Sequence, residues 1–181
     1  MMTALLIVLI LAILLVWRPG FNFRAQKPEH YKSSTPELDI RTHLNGKMIS
    51  EGVIYGPNGR VASRFVAEME GIWNGDEGTL TEEFTYAQDG TQSRKWFLSV
   101  GKNGQFVATA DDIIGEGKGR HSGATVRMHY RIRLAEEAGG HVLDVTDWMY
   151  LMENGTIMNK SVMRKFGLPV AELIATIRPV A

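Results

Sequence analysis

Four basic side chains alternate along one stretch of the chain: Arg127, His129, Arg131 and Arg133. On an extended strand, alternate side chains share a face at about 6.5–7 Å spacing. Such a row suits a carboxylate or phosphate, because arginine offers a planar fork of donors. Turned inward, the row, with Arg127 and Arg131 as candidate contacts, would meet the head of an anionic lipid. Turned outward, the row is a solvated face, with Val126, Met128, Tyr130 and Ile132 supplying the core. A second constellation is the hairpin Asp147-Trp148-Met149-Tyr150, turn Asn154-Gly155, then Asn159-Lys160-Ser161. Trp148 and Tyr150 would wall a ligand, with Asn159 and Lys160 as polar contacts. A packed hairpin with Asp147 bonded across to Asn159 or Lys160 fits equally. A third is Asp111-Asp112 with Gly115-Glu116, whose oxygens suit calcium or, with Asp147, acid–base chemistry. An Asp-rich turn explains it as well.

Other chemistries are excluded or unsupported. The chain has no cysteine, which removes disulfides, thiol nucleophiles and cysteine-ligated zinc. His30, His43, His121, His129 and His141 are scattered and match no zinc spacing. No nucleophile elbow, phosphate loop or dinucleotide fingerprint is present. We therefore assign no catalytic residue, no metal and no cofactor. Twenty basic residues balance twenty acidic ones, which argues against a general nucleic-acid binder. A 44% hydrophobic, 22% charged composition excludes a mostly disordered chain.

The elements that would position these residues are mostly strands. Residues 4–17 are all apolar, and residues 1–18 are expected to form a transmembrane or signal-anchor helix at the lower length limit for a span. Trp17 and Arg18 suit an interfacial end. Residues 19–37, with Pro19, Gly20, Pro28, Ser33, Ser34 and Pro36, suggest a linker. Residues 38–181 are expected to form the β-barrel domain, with a period of two almost throughout from residue 47 onward. Strands are expected at 47–55, 61–73, 79–86, 92–100, 105–110, 113–119, 124–134, 141–152, 156–166 and 170–178, with helix an option only at 38–44 and 170–175. Asn58-Gly59, Asp89-Gly90, Asn103-Gly104 and Asn154-Gly155 mark tight hairpin turns. Successive antiparallel strands must close or stack to hide their edges. The expected fold is an all-β, up-and-down barrel of about 8–10 strands, with a two-sheet sandwich second. Gly71-Ile72-Trp73 echoes a lipocalin dipeptide frame, but late in the second strand, and is set aside as coincidence.

The sequence resembles the bacterial domain-of-unknown-function family 3833, whose members are lipoprotein-like envelope proteins. The resemblance runs from about Phe21 to the C-terminus. It is carried by Pro28-Glu29-His30-Tyr31, Thr35-Pro36-Glu37-Leu38-Asp39, Gly71-Ile72-Trp73, Gly78-Thr79-Leu80, Thr109-Ala110-Asp111-Asp112, Asp147-Trp148-Met149-Tyr150, Asn159-Lys160-Ser161 and Lys165-Phe166-Gly167. It implies a lipocalin-like (calycin-type) barrel in the cell envelope and no known activity. The lipidated cysteine of a lipoprotein is absent, so the apolar segment would be the anchor. Arg18, Arg24, Lys27 and Lys32 favour a cytoplasmic domain by the positive-inside rule. The family setting favours the periplasmic face of the bacterial inner membrane, which is the expectation adopted. The functional expectation is a membrane-tethered barrel that binds a lipid or other amphipathic ligand. The rivals are a ligand-free barrel docking a protein partner, and a hydrolase using Asp111, Asp112, Glu116 or Asp147.

Overall fold

The computed structural model describes residues 2–17, 23–87 and 90–180. Helix α1 covers Met2–Trp17 and the single turn α2 covers Ile40–His43. Ten strands follow: β1 (Gly46–Tyr55), β2 (Val61–Asn74), β3 (Glu77–Tyr86), β4 (Thr91–Val100), β5 (Gln105–Thr109), β6 (Gly117–Ser122), β7 (Thr125–Arg133), β8 (Val142–Leu151), β9 (Ile157–Lys165) and β10 (Leu168–Pro179). Each pairs antiparallel with its sequence neighbour, and β1 pairs with β10 to close the barrel. The expected up-and-down barrel is therefore present, with ten strands and no free edge. The stretch 170–175 is strand, not helix.

Tight turns make the meander feasible. Asn103 and Gly104, in the Gly101–Gly104 connection between β4 and β5, both take positive φ, the conformation a tight hairpin turn needs at its central pair. Residue 89 of the expected Asp89-Gly90 turn lies outside the described residues. The sixth strand is later than expected, at Gly117–Ser122 instead of 113–119. Residues 111–116 are instead a connection that tucks Ile113 into the core. The helix expected at residues 1–18 is present over Met2–Trp17, and residues 1 and 18 lie outside the described residues. Among the described residues, no helix is long and apolar enough to cross a membrane. The sixteen residues of α1 rise about 24 Å, against a hydrocarbon core of about 30 Å. Residues 18–22 lie outside the described residues.

The described part of the expected linker is no free tether. Pro28 is buried, and a 3₁₀ turn at Pro28–Tyr31 lies against β6 and β7. Glu29 pairs with Arg120 at 3.0 Å, and the Ser122 hydroxyl donates to the Pro28 carbonyl. Further along, the Leu38 amide donates to the Gly123 carbonyl at 2.9 Å. The chain then plugs one end of the barrel. Leu38, Ile40 and Leu44 are buried with the core, and Asp39 caps α2 by accepting from the Arg41 amide at 2.9 Å.

Two residues of β2 seat the plug. The Trp73 indole donates to the Leu44 carbonyl at 2.9 Å. A Cβ at Gly71 would stand 1.9 Å from that same oxygen, so only glycine fits. The frame set aside as coincidence is thus structural. Gly71→Ala is expected to lower stability by about 1–3 kcal/mol through overpacking. An unchanged urea midpoint would contradict this seating.

Candidate functional site

Strand pairing carries a set of polar side chains into the barrel. On β3, Leu80, Glu82, Phe84 and Tyr86 share the inner face; on β4, Gln92, Arg94, Trp96 and Leu98 face them. Register sets Glu82 opposite Arg94 and Leu80 opposite Trp96. Across the lumen, β7 contributes Met128 and Tyr130, β8 contributes Val145 and Asp147, and β9 contributes Ser161, opposite Asp147. Asp112, on the β5–β6 connection, reaches Arg94.

Arg94 is the centre of this cluster. Its Nη2 lies 2.7 Å from Asp112 and its Nε donates to Asp112 at 2.9 Å. Its Nη1 lies 3.8 Å from Glu82, whose carboxylate also accepts from the Trp96 indole at 3.2 Å. The guanidinium faces the Trp96 and Phe84 rings at 5.7 and 5.9 Å, within cation–π range. Tyr130 packs edge-on to Trp96 at 5.4 Å.

Two carboxyl groups thus contact one guanidinium and Asp147 lies within its field, and burial opposes the charge of Glu82 and Asp147. Burial raises the pKa of Glu82, and Arg94 and the Trp96 hydrogen bond oppose it only in part. Burial likewise raises Asp147, against hydrogen bonds from Ser161 and Tyr130 and the attraction of Arg94. Tyr130 is pushed well up by burial and by Asp147. Burial works against the charge on Arg94, but Glu82, Tyr130 and Asp112 outweigh it and raise its pKa. The site therefore sets the Arg94–Asp112 contact beside two carboxyl groups, Glu82 and Asp147, biased toward their neutral form. Asp112 Oδ1 and Asp147 Oδ1 are both buried without a hydrogen-bond partner among the described residues.

The mouth end of this lumen is accessible. The side chains of Arg94 and Glu82 keep 16% and 12% of their exposure although both face inward. Around them Ile54, Phe84, Tyr86, Met163, Val170 and Leu173 are only half-buried. At the plugged end, by contrast, Met48, Leu44 and Ile157 are sealed.

Of the six residues singled out from the sequence, Asn159 alone belongs to the inner face. Its amide donates to the Trp148 carbonyl at 3.2 Å. The Arg127, His129, Arg131, Arg133 row is exposed and points outward, while Val126, Met128, Tyr130 and Ile132 fill the core. Arg127 and His129 border an outer groove of about 960 Å³ beside the N-terminal segment. Arg131 lies 4.0 Å from Asp144. Trp148, Tyr150 and Lys160 also point outward. Trp148 is 1% exposed because Tyr31 packs edge-on against it at 5.5 Å and Tyr150 stacks on it at 6.1 Å. Tyr150 and Tyr31 both donate to the Gln26 side-chain oxygen, Tyr150 at 2.7 Å. Lys160 lies over the Phe23 ring at 4.7 Å and pairs with Glu172 at 3.2 Å. The expected ligand wall is thus occupied by the chain's own N-terminal segment. Asp111 and Glu116 are exposed. Among the described residues, no group of three or more histidines and carboxylates is placed to hold a metal.

Glu82 and Arg94 were missed from the sequence, though a signal existed. Each sits in the apolar phase of its strand, between Leu80 and Phe84 and next to Trp96 in phase.

The family described as "Protein of unknown function (DUF3833)" matches residues 20–179. The chain belongs to this family. No curated protein matches this DUF3833 member. Three solved structures resemble it in fold. Rv2717c from M. tuberculosis has a TM-score of 0.57 at 18% identity, covering 82% of this chain and 100% of that one. The S-type phycobiliprotein lyase CPES from Guillardia theta has a TM-score of 0.60 at 8% identity, covering 86% and 98%. A protein of unknown function from the DUF3598 family of Nostoc punctiforme has 0.54 at 11%, covering 81% of this chain and 51% of that one. At these identities the likeness is one of fold alone.

Two measurements test the site. Because folding raises the Asp147 and Glu82 pKa values, the native state holds protons that the unfolded chain releases. Stability should therefore fall as pH rises from the ordinary carboxyl range, about 4, through the raised native values, and level off above them. Asp147→Asn should shrink that fall, measured as urea midpoints from pH 4 to 8. An identical pH profile would contradict the assignment. Trp148→Ala should cost about 3–5 kcal/mol as a sealed aromatic, and a loss below about 1 kcal/mol would show that the N-terminal segment does not seal it.

Proposed function

We propose that the barrel binds an amphipathic small molecule, its polar head at the Arg94–Glu82–Asp147 floor and its apolar body between the mouth residues. The observation that carries this reading is the pairing of an accessible apolar rim with a buried polar floor that leaves two carboxyl oxygens unsatisfied. An unsatisfied buried polar atom costs about 1–3 kcal/mol, and a ligand head that bonds there would recover it. Ligand sites commonly have this form: an apolar recess with a few convergent polar groups. The fold is that of a lipocalin-like barrel, an architecture with room for one small ligand.

The floor also selects the head. The Arg94 charge is already paired with Asp112 at 2.7 Å, so an anionic head would have to compete for it in a low-dielectric site. A neutral head that both donates and accepts, such as a hydroxyl-bearing ester, would donate to the unpartnered Asp112 Oδ1 and accept from Arg94. The ligand class is thus a neutral lipid-like molecule. We further propose that α1 anchors the chain by burying its apolar side chains in a bilayer. Leu5 through Leu11 are all exposed, which an isolated helix in water would not favour.

Competition between monooleoylglycerol and oleate for a bound fluorescent lipid tests this. Monooleoylglycerol is expected to bind more tightly. Leu173→Trp, which fills the mouth, should weaken it by about tenfold or more, roughly 1.4 kcal/mol. Tighter oleate binding would overturn the head-group reading, and no displacement by either would overturn the binding site itself.

A further inference from the structure

The β9–β10 hairpin ends in an unusual tip. Phe166 is 92% exposed and takes φ of +53°, a conformation a bulky side chain rarely adopts. Leu168, just beyond Gly167, is 69% exposed. Lys165 flanks the ring, its Nζ 5.8 Å from the ring centre. The two-residue turn between Lys165 and Leu168 demands positive φ at both central positions, but it does not demand a phenyl ring there, held out in solvent.

The tip lies at the mouth end. Strand β9 begins at the plugged end, where Ile157 meets Leu151, and finishes with Lys165 at the opposite end, where Met163 lines the rim. The N-terminal segment enters from the same side. Phe23 sits over Lys160, Gln26 is bonded to Tyr150, Ser122 is bonded to Pro28 and Gly123 to Leu38. Followed along the sequence, the segment runs from mid-barrel toward the plug, so its leading end points toward the mouth. Six peptide steps join Trp17 to Phe23, a reach of about 20 Å. Lys160 and Lys165 are five residues apart on β9, about 17 Å. The helix and the hairpin tip can therefore occupy one layer at the same time.

We propose that the mouth of the barrel faces a lipid bilayer, with Phe166 and Leu168 inserted among the acyl chains and Lys165 at the headgroups. This deepens the proposed function and rests on its reading of α1 as a membrane anchor. A neutral lipid would then pass from bilayer to lumen without crossing water. The apolar helix, its short reach and the basic flank favour a lipid surface over a protein partner or a second copy as occupant.

The full chain has no cysteine, so single labels can be placed at will. Phe166→Cys, Leu9→Cys and Glu153→Cys, each carrying a bimane fluorophore, would be reconstituted into phosphatidylethanolamine–phosphatidylglycerol vesicles with brominated acyl chains. Glu153 lies in the turn at the plugged end and serves as the reference. Loss of emission is expected at Leu9 and Phe166 but not at Glu153. Quenching at Leu9 without quenching at Phe166, or equal quenching at Phe166 and Glu153, overturns the orientation and leaves the anchor standing. Quenching at neither Leu9 nor Phe166 overturns both. A blue shift at Phe166 that needs no vesicles and grows with protein concentration assigns the tip to a second copy and also overturns the proposal.

Discussion

The buried Arg94 guanidinium constrains most of what surrounds it. A charge inside a barrel is tolerable only when paired and hydrogen-bonded. Asp112 supplies the close partner at 2.7 Å, and Glu82 and two aromatic faces supply the rest. That requirement accounts for the β5–β6 connection. Residues 111–116 leave the strand pattern so that Asp112 can reach inward while Ile113 packs into the core. Burial itself biases Glu82 and Asp147 toward their neutral form, and the nearby guanidinium opposes it only in part.

A ten-strand meander supplies the frame, and closure by β1 and β10 removes every edge. The two ends are then treated differently. One is plugged by Leu38, Ile40 and Leu44, held by contacts that only Gly71 and Trp73 permit. The other keeps half-buried apolar side chains around its rim. The segment before the plug does not wander. It crosses the outer face of β7 and β8, seals Trp148 with Tyr31, and fixes where the chain enters the barrel. Stability and directionality thus come from the same stretch of about twenty residues.

Much of the fold was legible because a β-meander writes its period and turns into the sequence. The alternation in β7 assigned Val126, Met128, Tyr130 and Ile132 to the core, and Asn103-Gly104 marked its turn. The site was far less legible. Alternation says which side chains share a face, but not what covers the outer face. Trp148 and Tyr150 therefore looked like lumen walls, when the partner was Tyr31, more than a hundred residues away. Glu82 and Arg94 escaped notice because each is one charge in an apolar phase, meaningful only once register sets them opposite each other. The helix at the N-terminus was legible as an apolar run, and sixteen of its residues are described as helix.

Carbon-13 NMR of the side-chain carboxyl groups tests the central claim most directly, with Glu82 and Asp147 assigned through their amide variants. The account predicts that both titrate above the ordinary carboxyl range, and that monooleoylglycerol moves the Asp147 resonance. Ordinary titration of both groups, with no response to the lipid, would contradict it.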